Sequence, residues 1–479
     1  MNHKNTFKTL GAVMLVEAAF MLPSLILAFC LGEPARPFIC SILITAALGM
    51  LLRLLTRGQS PFSSRSAFVT AAAVWLAFSL AGCLPFCFCT GFGSFIDCLF
   101  ESVSGFTTTG SSILYDIEAL PRSILLWRST THFIGGMGIL VLASAVLPSR
   151  GDRSYYLLRA EMPGPTKDKL LPKLADTAKI LYLIYIVLTL TQIIALLIAG
   201  LGVFDSVNIA LATAGTGGFS VKNASMAGYG NPAAELITAV YMLLFGVNFS
   251  VYFLIITGRI SRALKSDELR FYLFLAVAAS AVIALNARFF FASPGEALRL
   301  SFFTVTSTMS STGFSVTDYD LWPEFSKSVI VLLMLIGACA GSTGGGIKCS
   351  RALMLLRAVA CELRQIVHPH LVSTVRMDGK LVDDSTLRSV SRFFAAYVLL
   401  LFAGVIVISA DGLDFTTNFT AVLSCLSNIG PGLSKVGPAC NFAAFSPVSK
   451  LALSLLMLFG RLEIFPILVF LSPYSWKKS

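Results

Sequence analysis

Two short stretches of this chain carry the same residue types in the same order: GTGGFSV (Gly215 to Val221) and SSTGFSV (Ser310 to Val316), both small, hydroxylated and glycine-containing within apolar sequence. Two more, GFTTTGSS (Gly105 to Ser112) and LSNIGPG (Leu426 to Gly432), align with them when Gly110, Gly218, Gly313 and Gly430 are placed in register, 108, 95 and 117 residues apart. The chemistry such segments can do is cation coordination. A dehydrated monovalent cation needs oxygen ligands, and four extended segments around one axis can present backbone carbonyls in place of its water. Glycine adopts positive φ without strain, which lets those carbonyls turn inward. The candidate ring is Thr108, Thr109 and Gly110, then Thr216, Gly217 and Gly218, then Ser311, Thr312 and Gly313, and last Asn428, Ile429 and Gly430. Thr107 and the hydroxylated residues of the ring are small enough to sit behind the strand and hydrogen-bond it. Any one motif is also what close packing of transmembrane helices uses; four in register argue for a site.

Each motif follows an apolar segment too short to cross a bilayer, near 95–106, 204–214, 295–309 and 412–427. A half-length helix followed by an irregular strand must enter and leave by one face, and such backbone is tolerated at membrane depth only inside protein or along a cavity. The half-helices would aim their negative C-terminal ends at the ring. Ten stretches approach the ~20 apolar residues a crossing requires: 10–31, 37–56, 67–89, 123–147, 177–201, 233–257, 270–292, 327–357, 389–410 and 448–472. The expected fold is an all-α polytopic membrane protein with about ten transmembrane helices, namely two extra helices and then four tandem helix–pore loop–helix repeats around a central pore. The division is residues 1–62 for the extra helices, then 63–150, 151–264, 265–375 and 376–479 for the repeats.

Composition agrees. Hydrophobic residues make up 56% of the 479-residue chain and charged residues 13%, against roughly 25% charge in ordinary globular domains. The first stretch, with Lys4 and Lys8 ahead of it, could be read as a signal peptide, but it is long and many similar segments follow, so it is taken as a retained span. The net charge of +11 is spread between hydrophobic segments, which argues for topology signals and against nucleic-acid binding. Basic residues collect after the second (Arg53, Arg57, Arg65), fourth (Arg150, Arg153, Arg159, Lys167, Lys169, Lys173), sixth (Arg259, Arg262, Lys265) and eighth (Arg357, Arg364, Arg376, Lys380, Arg388) spans, and at the end (Lys477, Lys478). That face, with both termini, is expected to be cytoplasmic. Eleven cysteines and four histidines (His3, His132, His368, His370) form no metal-ligand spacing and no disulfide framework.

The eighth stretch is interrupted by GACAGSTGGGIKCSR, Gly337 to Arg351. Gly341, Gly344, Gly345 and Gly346 would each cost about 1 kcal/mol in a helix, so a break is expected there, just under the ring. A phosphate-binding loop is excluded because Lys348 follows Ile347 rather than the last glycine. Arg461 and Glu463, inside the tenth stretch, are functional candidates because ionisable groups at membrane depth are expensive; binding a backbone carbonyl for purely structural reasons is the alternative. Arg128 is a weaker candidate. His132 is either a titrating group or a neutral packing residue. Asp116, Asp318 and Asp320 either gather cations at the outer mouth or are solvated loop residues.

WRSTTHFIGGMGILVL (Trp127 to Leu142), STGGGIK (Ser342 to Lys348) and NIGPG (Asn428 to Gly432), with the fourfold loop repeat, resemble the Trk/Ktr/HKT superfamily of potassium transporters, and its bacterial TrkH branch in particular, over essentially the whole chain. The resemblance implies a homodimer with one pore per subunit and motif glycines that set selectivity. A serine in the first loop goes with sodium-permeable plant members, so four glycines imply potassium as the transported ion. It implies that the intramembrane loop (Gly341, Gly344, Gly345, Gly346 and Lys348) obstructs the cavity and moves on opening, and that Arg461 helps hold it closed. It further implies a cytoplasmic TrkA-like ring that carries the regulating nucleotide, no covalent cofactor, and a place in the bacterial cytoplasmic membrane. A sodium-permeable or proton- or sodium-coupled symporter of the same fold is the rival. A symporter built on two inverted repeats does not match four parallel ones, and a membrane-embedded enzyme lacks a catalytic constellation.

Overall fold

The computed structural model describes residues 4–56, 64–138, 174–370 and 373–475. The domain limits at 62/63 and 150/151, Arg57, all of the basic segment after the fourth span, His3, Lys477 and Lys478 lie outside the described residues. The chain opens with Lys4–Phe20, Leu22–Leu31 and Arg36–Leu55. The first and third of these cross at a glycine pair: a Cβ on Gly11 would lie 2.6 Å from the Gly49 carbonyl oxygen, and one on Gly49 2.9 Å from that of Gly11. Small residues bring membrane helices together in this way, because hydrocarbon solvent gives no hydrophobic reward for helix contact.

Four units follow, each with a leading helix, a half-helix and a trailing helix. The leading helices are Ser64–Gly82, Leu174–Ile198, Asp267–Asn286 and Asp384–Ile408, and the half-helices are Phe95–Phe106, Val203–Gly215, Pro294–Met309 and Phe415–Ser427. Three half-helices begin at a side-chain cap, from Ser94, Ser293 and Asp414, which satisfies orphan backbone donors at the helix start. Each half-helix packs on the trailing helix of the unit before it, the first on that of the fourth. The units therefore close into a ring. Lys450 to Asp97 at 2.7 Å ties unit 4 to unit 1, and Glu235 pairs with Arg299 to tie unit 2 to unit 3.

Six described helices are each long and apolar enough to cross a bilayer, and a bent pair, Pro232–Phe245 with Phe249–Ile256, makes a seventh. The other three expected crossings are the trailing segments of units 1, 3 and 4. Here the structure departs from the continuous spans expected at 233–257 and 448–472. The trailing helix of unit 2 turns by 90° at Gly246 to Asn248. That of unit 4 breaks between Arg461 and Phe465, where Glu463 and Ile464 take φ of 54° and 68°. Unit 3 breaks between Leu335 and Cys349 as expected, and the unit 1 helix Arg122–Gly136 ends near the limit of the described residues, residues 139–147 of that expected span lying beyond it. Large apolar side chains such as Ile198, Phe274, Leu399 and Ile406 face outward, 69–82% exposed, a girdle suited to lipid rather than water.

Candidate functional site

The four half-helices end in the same way. The N–H groups of Thr108, Thr216, Ser311 and Asn428 bond the carbonyls of Gly105, Thr213, Thr308 and Cys425, and those of Thr109, Gly217, Thr312 and Ile429 bond the carbonyls of Ser104, Ala212, Ser307 and Ser424, all at 2.8–3.3 Å. This nested pair of bonds is the Schellman termination, which requires a left-handed residue and commonly takes glycine. Here the left-handed residues are Thr108, Thr216, Ser311 and Asn428, with φ of 54–58°. For β-branched threonine that conformation is an outlier, costing about 1–2 kcal/mol. The same left-handed conformation recurs at four equivalent positions, two of them β-branched, so it belongs to the repeat rather than to one local accident. Two residues on, Gly110, Gly218, Gly313 and Gly430 return to positive φ, between 74° and 103°, so the handedness alternates along each strand.

The strands meet in a closed ring. A Cβ on Gly110 would lie 1.9 Å from the Gly217 carbonyl oxygen, one on Gly218 2.1 Å from that of Thr312, one on Gly313 1.9 Å from that of Ile429, and one on Gly430 2.7 Å from that of Thr109. Each glycine is thus pressed against the carbonyl of the residue before the next unit's glycine, and the fourth returns to the first. All twelve ring residues expected from sequence are brought together, and their hydroxyls brace the strands from behind. Thr107 and Thr109 share a 2.8 Å hydroxyl bond, Ser310 and Thr312 share the equivalent bond at 2.6 Å, and Asn428 Nδ2 donates to Thr109 Oγ1 at 2.9 Å.

Behind units 1 and 2 lies a polar brace that sequence reading only half identified. Arg128 donates through Nε and Nη2 to Glu101 Oε1 at 2.9 and 2.7 Å and through Nη1 to the Ser220 carbonyl at 3.1 Å. Glu101 also accepts from Ile113 N and from the Ser112 hydroxyl. Both partners are at most 1% exposed, so the pair is viable only because its remaining donors and acceptors are filled. Glu101 was missed; an acid inside an apolar half-helix was the available signal. His132 bonds the Gly105 carbonyl through Nδ1 at 2.7 Å and takes the Phe219 N–H on Nε2 at 3.2 Å. With Nε2 accepting, the ring is the neutral tautomer, which supports the packing role and joins loop 1 to loop 2. In the loop after the first ring strand, Asp116 accepts from Asn223 Nδ2 at 2.9 Å, and this bond holds its carboxyl below the usual carboxylate range. Asp320 accepts from Ser434 N at 3.1 Å, and Asp318 caps the short turn beside it. Asp116 and Asp320 thus tie neighbouring loops together.

The glycine segment of unit 3 lies directly against the underside of the ring. Its ends are pinched by Gly337 N to the Ile347 carbonyl at 2.9 Å and Cys349 N to that of Ala338 at 3.1 Å. At its tip, Gly345 N donates to Ser311 Oγ at 2.6 Å. A Cβ on Gly344 would lie 2.7 Å from the Ser310 carbonyl oxygen, and one on Gly345 2.3 Å from that of Ser427. Gly341 O accepts from Phe249 N at 3.0 Å, in the break of the unit 2 trailing helix, and Lys348 folds back onto the Gly344 carbonyl. Arg461 spans the site, donating to the Thr343 carbonyl at 2.6 Å and to those of Gly135 and Gly136 at 2.5 Å each. Glu463 pairs with Arg351 below the loop. Arg461 therefore touches the loop and the end of the unit 1 helix together. Glu268, also missed, accepts both Ala340 N and Ser350 N.

Loops that bring four strands of carbonyls to one ring inside a multi-span helical bundle define a membrane transport protein. Residues 35–478 match the family model described as TrkH, cation transport protein. The Trk system potassium uptake protein TrkH of Salmonella typhimurium is 36% identical over 473 residues, covering 97% of each chain. The Trk system potassium uptake protein TrkG of Escherichia coli K12 is 35% identical over 419 residues, 86% of each. The crystal structure of the potassium transporter TrkH from Vibrio parahaemolyticus superposes with a TM-score of 0.90 at 32% identity, covering all of both chains. The chain belongs to the TrkH family.

Proposed function

We propose that the chain takes up potassium across the bacterial cytoplasmic membrane, with the four loops as its selectivity filter and both termini cytoplasmic. Potassium is the substrate; it exchanges its hydration for the carbonyls of the ring, passes the intramembrane loop and leaves toward the cytoplasm. An inside-negative voltage drives this direction, each 100 mV contributing about 2.3 kcal/mol per charge. The closed circuit of glycine against carbonyl, from Gly110 round to Gly430, is the observation that carries the reading, because only a ring of four equivalent strands offers a small dehydrated cation oxygens from every side.

The segment Gly341 to Lys348 is the gate, with Arg461 holding it against the ring. Opening requires the Gly345 to Ser311 bond and the Arg461 to Thr343 bond to part. The chain acts as a homodimer under a cytoplasmic nucleotide-binding ring, and it divides at 62/63, 150/151, 264/265 and 375/376. Rubidium uptake into liposomes carrying the purified chain, with excess potassium or sodium as competitor, tests the function: potassium abolishes uptake and sodium leaves it. Equal competition by sodium would make the chain a sodium-permeable member of the same fold, and flux requiring a proton or sodium gradient would make it a coupled symporter.

A further inference from the structure

Two adjacent acids at the start of the third leading helix reach two different parts of the molecule. Glu268 Oε1 accepts Ala340 N at 2.7 Å and Ser350 N at 2.9 Å, one on each side of the glycine loop. One carboxylate oxygen thus holds both ends of the intramembrane segment. Asp267 Oδ2 accepts Arg357 Nη1 at 2.7 Å and Asp378 N at 3.0 Å, while Asp267 N donates to Asp378 Oδ1 at 2.7 Å. Arg357 belongs to the helix Cys349–Val367 that leaves the loop, and Asp378 sits in the turn of the hairpin formed by Arg376–Met377 and Lys380–Leu381. That turn is tight, Asp378 and Gly379 both having positive φ (50° and 76°), the geometry of a two-residue hairpin connection.

We propose that Asp267 and Glu268 are positioning residues that couple the 376–381 hairpin to the intramembrane loop, so that displacing the hairpin loosens both ends of the loop. The physical basis is rigidity. Successive residues at a helix start move together, and between them the two acids hold the hairpin turn at Asp378, the leading end of the loop at Ala340 and the helix Cys349–Val367 at Ser350 and Arg357, so none of these can shift without disturbing the others. Arg357 closes the circuit, because it lies on the helix that begins at Cys349, where the loop ends. Bonds to a charged carboxylate are the stronger class, which suits them to transmit a displacement. The consequence for transport rests on the loop being the gate; the coupling itself is a statement about loop order and is read separately.

Cys339 and Cys349 flank the loop and are 1% and 0% exposed, so their maleimide labelling reports its order. With the remaining cysteines replaced by serine and the full chain in nanodiscs, Glu268→Ala, Asp267→Ala and Arg357→Ala are each expected to speed labelling about tenfold, the scale of one lost charge-assisted hydrogen bond. Glu268→Gln, which keeps an acceptor oxygen, is expected to change it less. Labelling that rises in Glu268→Ala but stays at the parent rate in Asp267→Ala and Arg357→Ala would overturn the coupling, as would no rise in Glu268→Ala. If Asp267→Ala aggregates on size exclusion, Arg357→Ala decides, since Arg357 is 35% exposed and its loss leaves the core intact. Rubidium uptake by the same variants separates the two readings: faster labelling with unchanged uptake keeps the coupling and removes the gate.

Discussion

The ring and the breaks beneath it are built from the same four units and obey opposite rules. In the ring, the four strands repeat one set of torsions and one pair of backbone bonds almost without variation, down to left-handed Thr108, Thr216, Ser311 and Asn428. In the trailing helices each unit differs: a 90° turn in unit 2, the long glycine loop in unit 3, the strained Glu463–Ile464 corner in unit 4. Coordinating a spherical ion from all sides favours equivalent ligands, whereas obstructing a path needs only one unit to cross it. On the function proposed above, discrimination belongs to what is shared and opening to what is distinct.

Serine substitutions in the ring should break the shared part most severely. In Gly110→Ser, Gly218→Ser and Gly313→Ser the new Cβ would sit 1.9–2.1 Å from a neighbouring carbonyl oxygen, so that carbonyl must leave its place; a loss of potassium-over-sodium discrimination of at least about tenfold, or about 1.4 kcal/mol, is expected in competitive rubidium uptake. Shortening the distinct part comes next. Deleting Gly344 to Gly346 should raise the uptake rate roughly tenfold with the competitor preference unchanged; a fall in preference would mean the loop also shapes the ring.

Arg461→Lys is a smaller perturbation of the same region. Lysine keeps the charge but not the planar fork that reaches Thr343 on one side and Gly135 and Gly136 on the other, so a rate increase of about threefold is expected, with Arg461→Ala larger. Gly430→Ala should be the mildest, because its Cβ would stand 2.7 Å from the Thr109 carbonyl oxygen rather than 1.9–2.1 Å, leaving the strain of a side chain at φ 103° as much of its cost. Discrimination reduced less than about threefold is expected, and an effect equal to that of Gly313→Ser would show that the fourth strand is packed as tightly as the others.

Much of the shared region is legible in sequence because its cause is local. The half-helix read at 95–106 is the one observed, and that read at 412–427 starts at Phe415 because Gly412 is left-handed and Asp414 caps the helix. The glycine loop declares itself through four glycines in six residues, Gly341 to Gly346. The breaks at 246–248 and 462–464 do not, since one glycine in an apolar run is common and what bends the chain there is distant. Gly246 O is taken by Cys339 N of the loop, and Glu463 is held by Arg351, 112 residues away in the chain. Glu101 showed in the sequence as an acid in an apolar half-helix, but its partner, 27 residues away, did not; Glu268 had no such signal, its partners being backbone N–H groups 72 and 82 residues away.

The most direct test of this division is to measure rubidium uptake rate and potassium-over-sodium preference together in one liposome preparation series, for the parent chain, for Gly313→Ser and for the deletion of Gly344 to Gly346. The serine variant should lose preference without gaining rate, and the deletion should gain rate without losing preference. A deletion that conducts no faster, or a serine variant that still excludes sodium, would contradict the division.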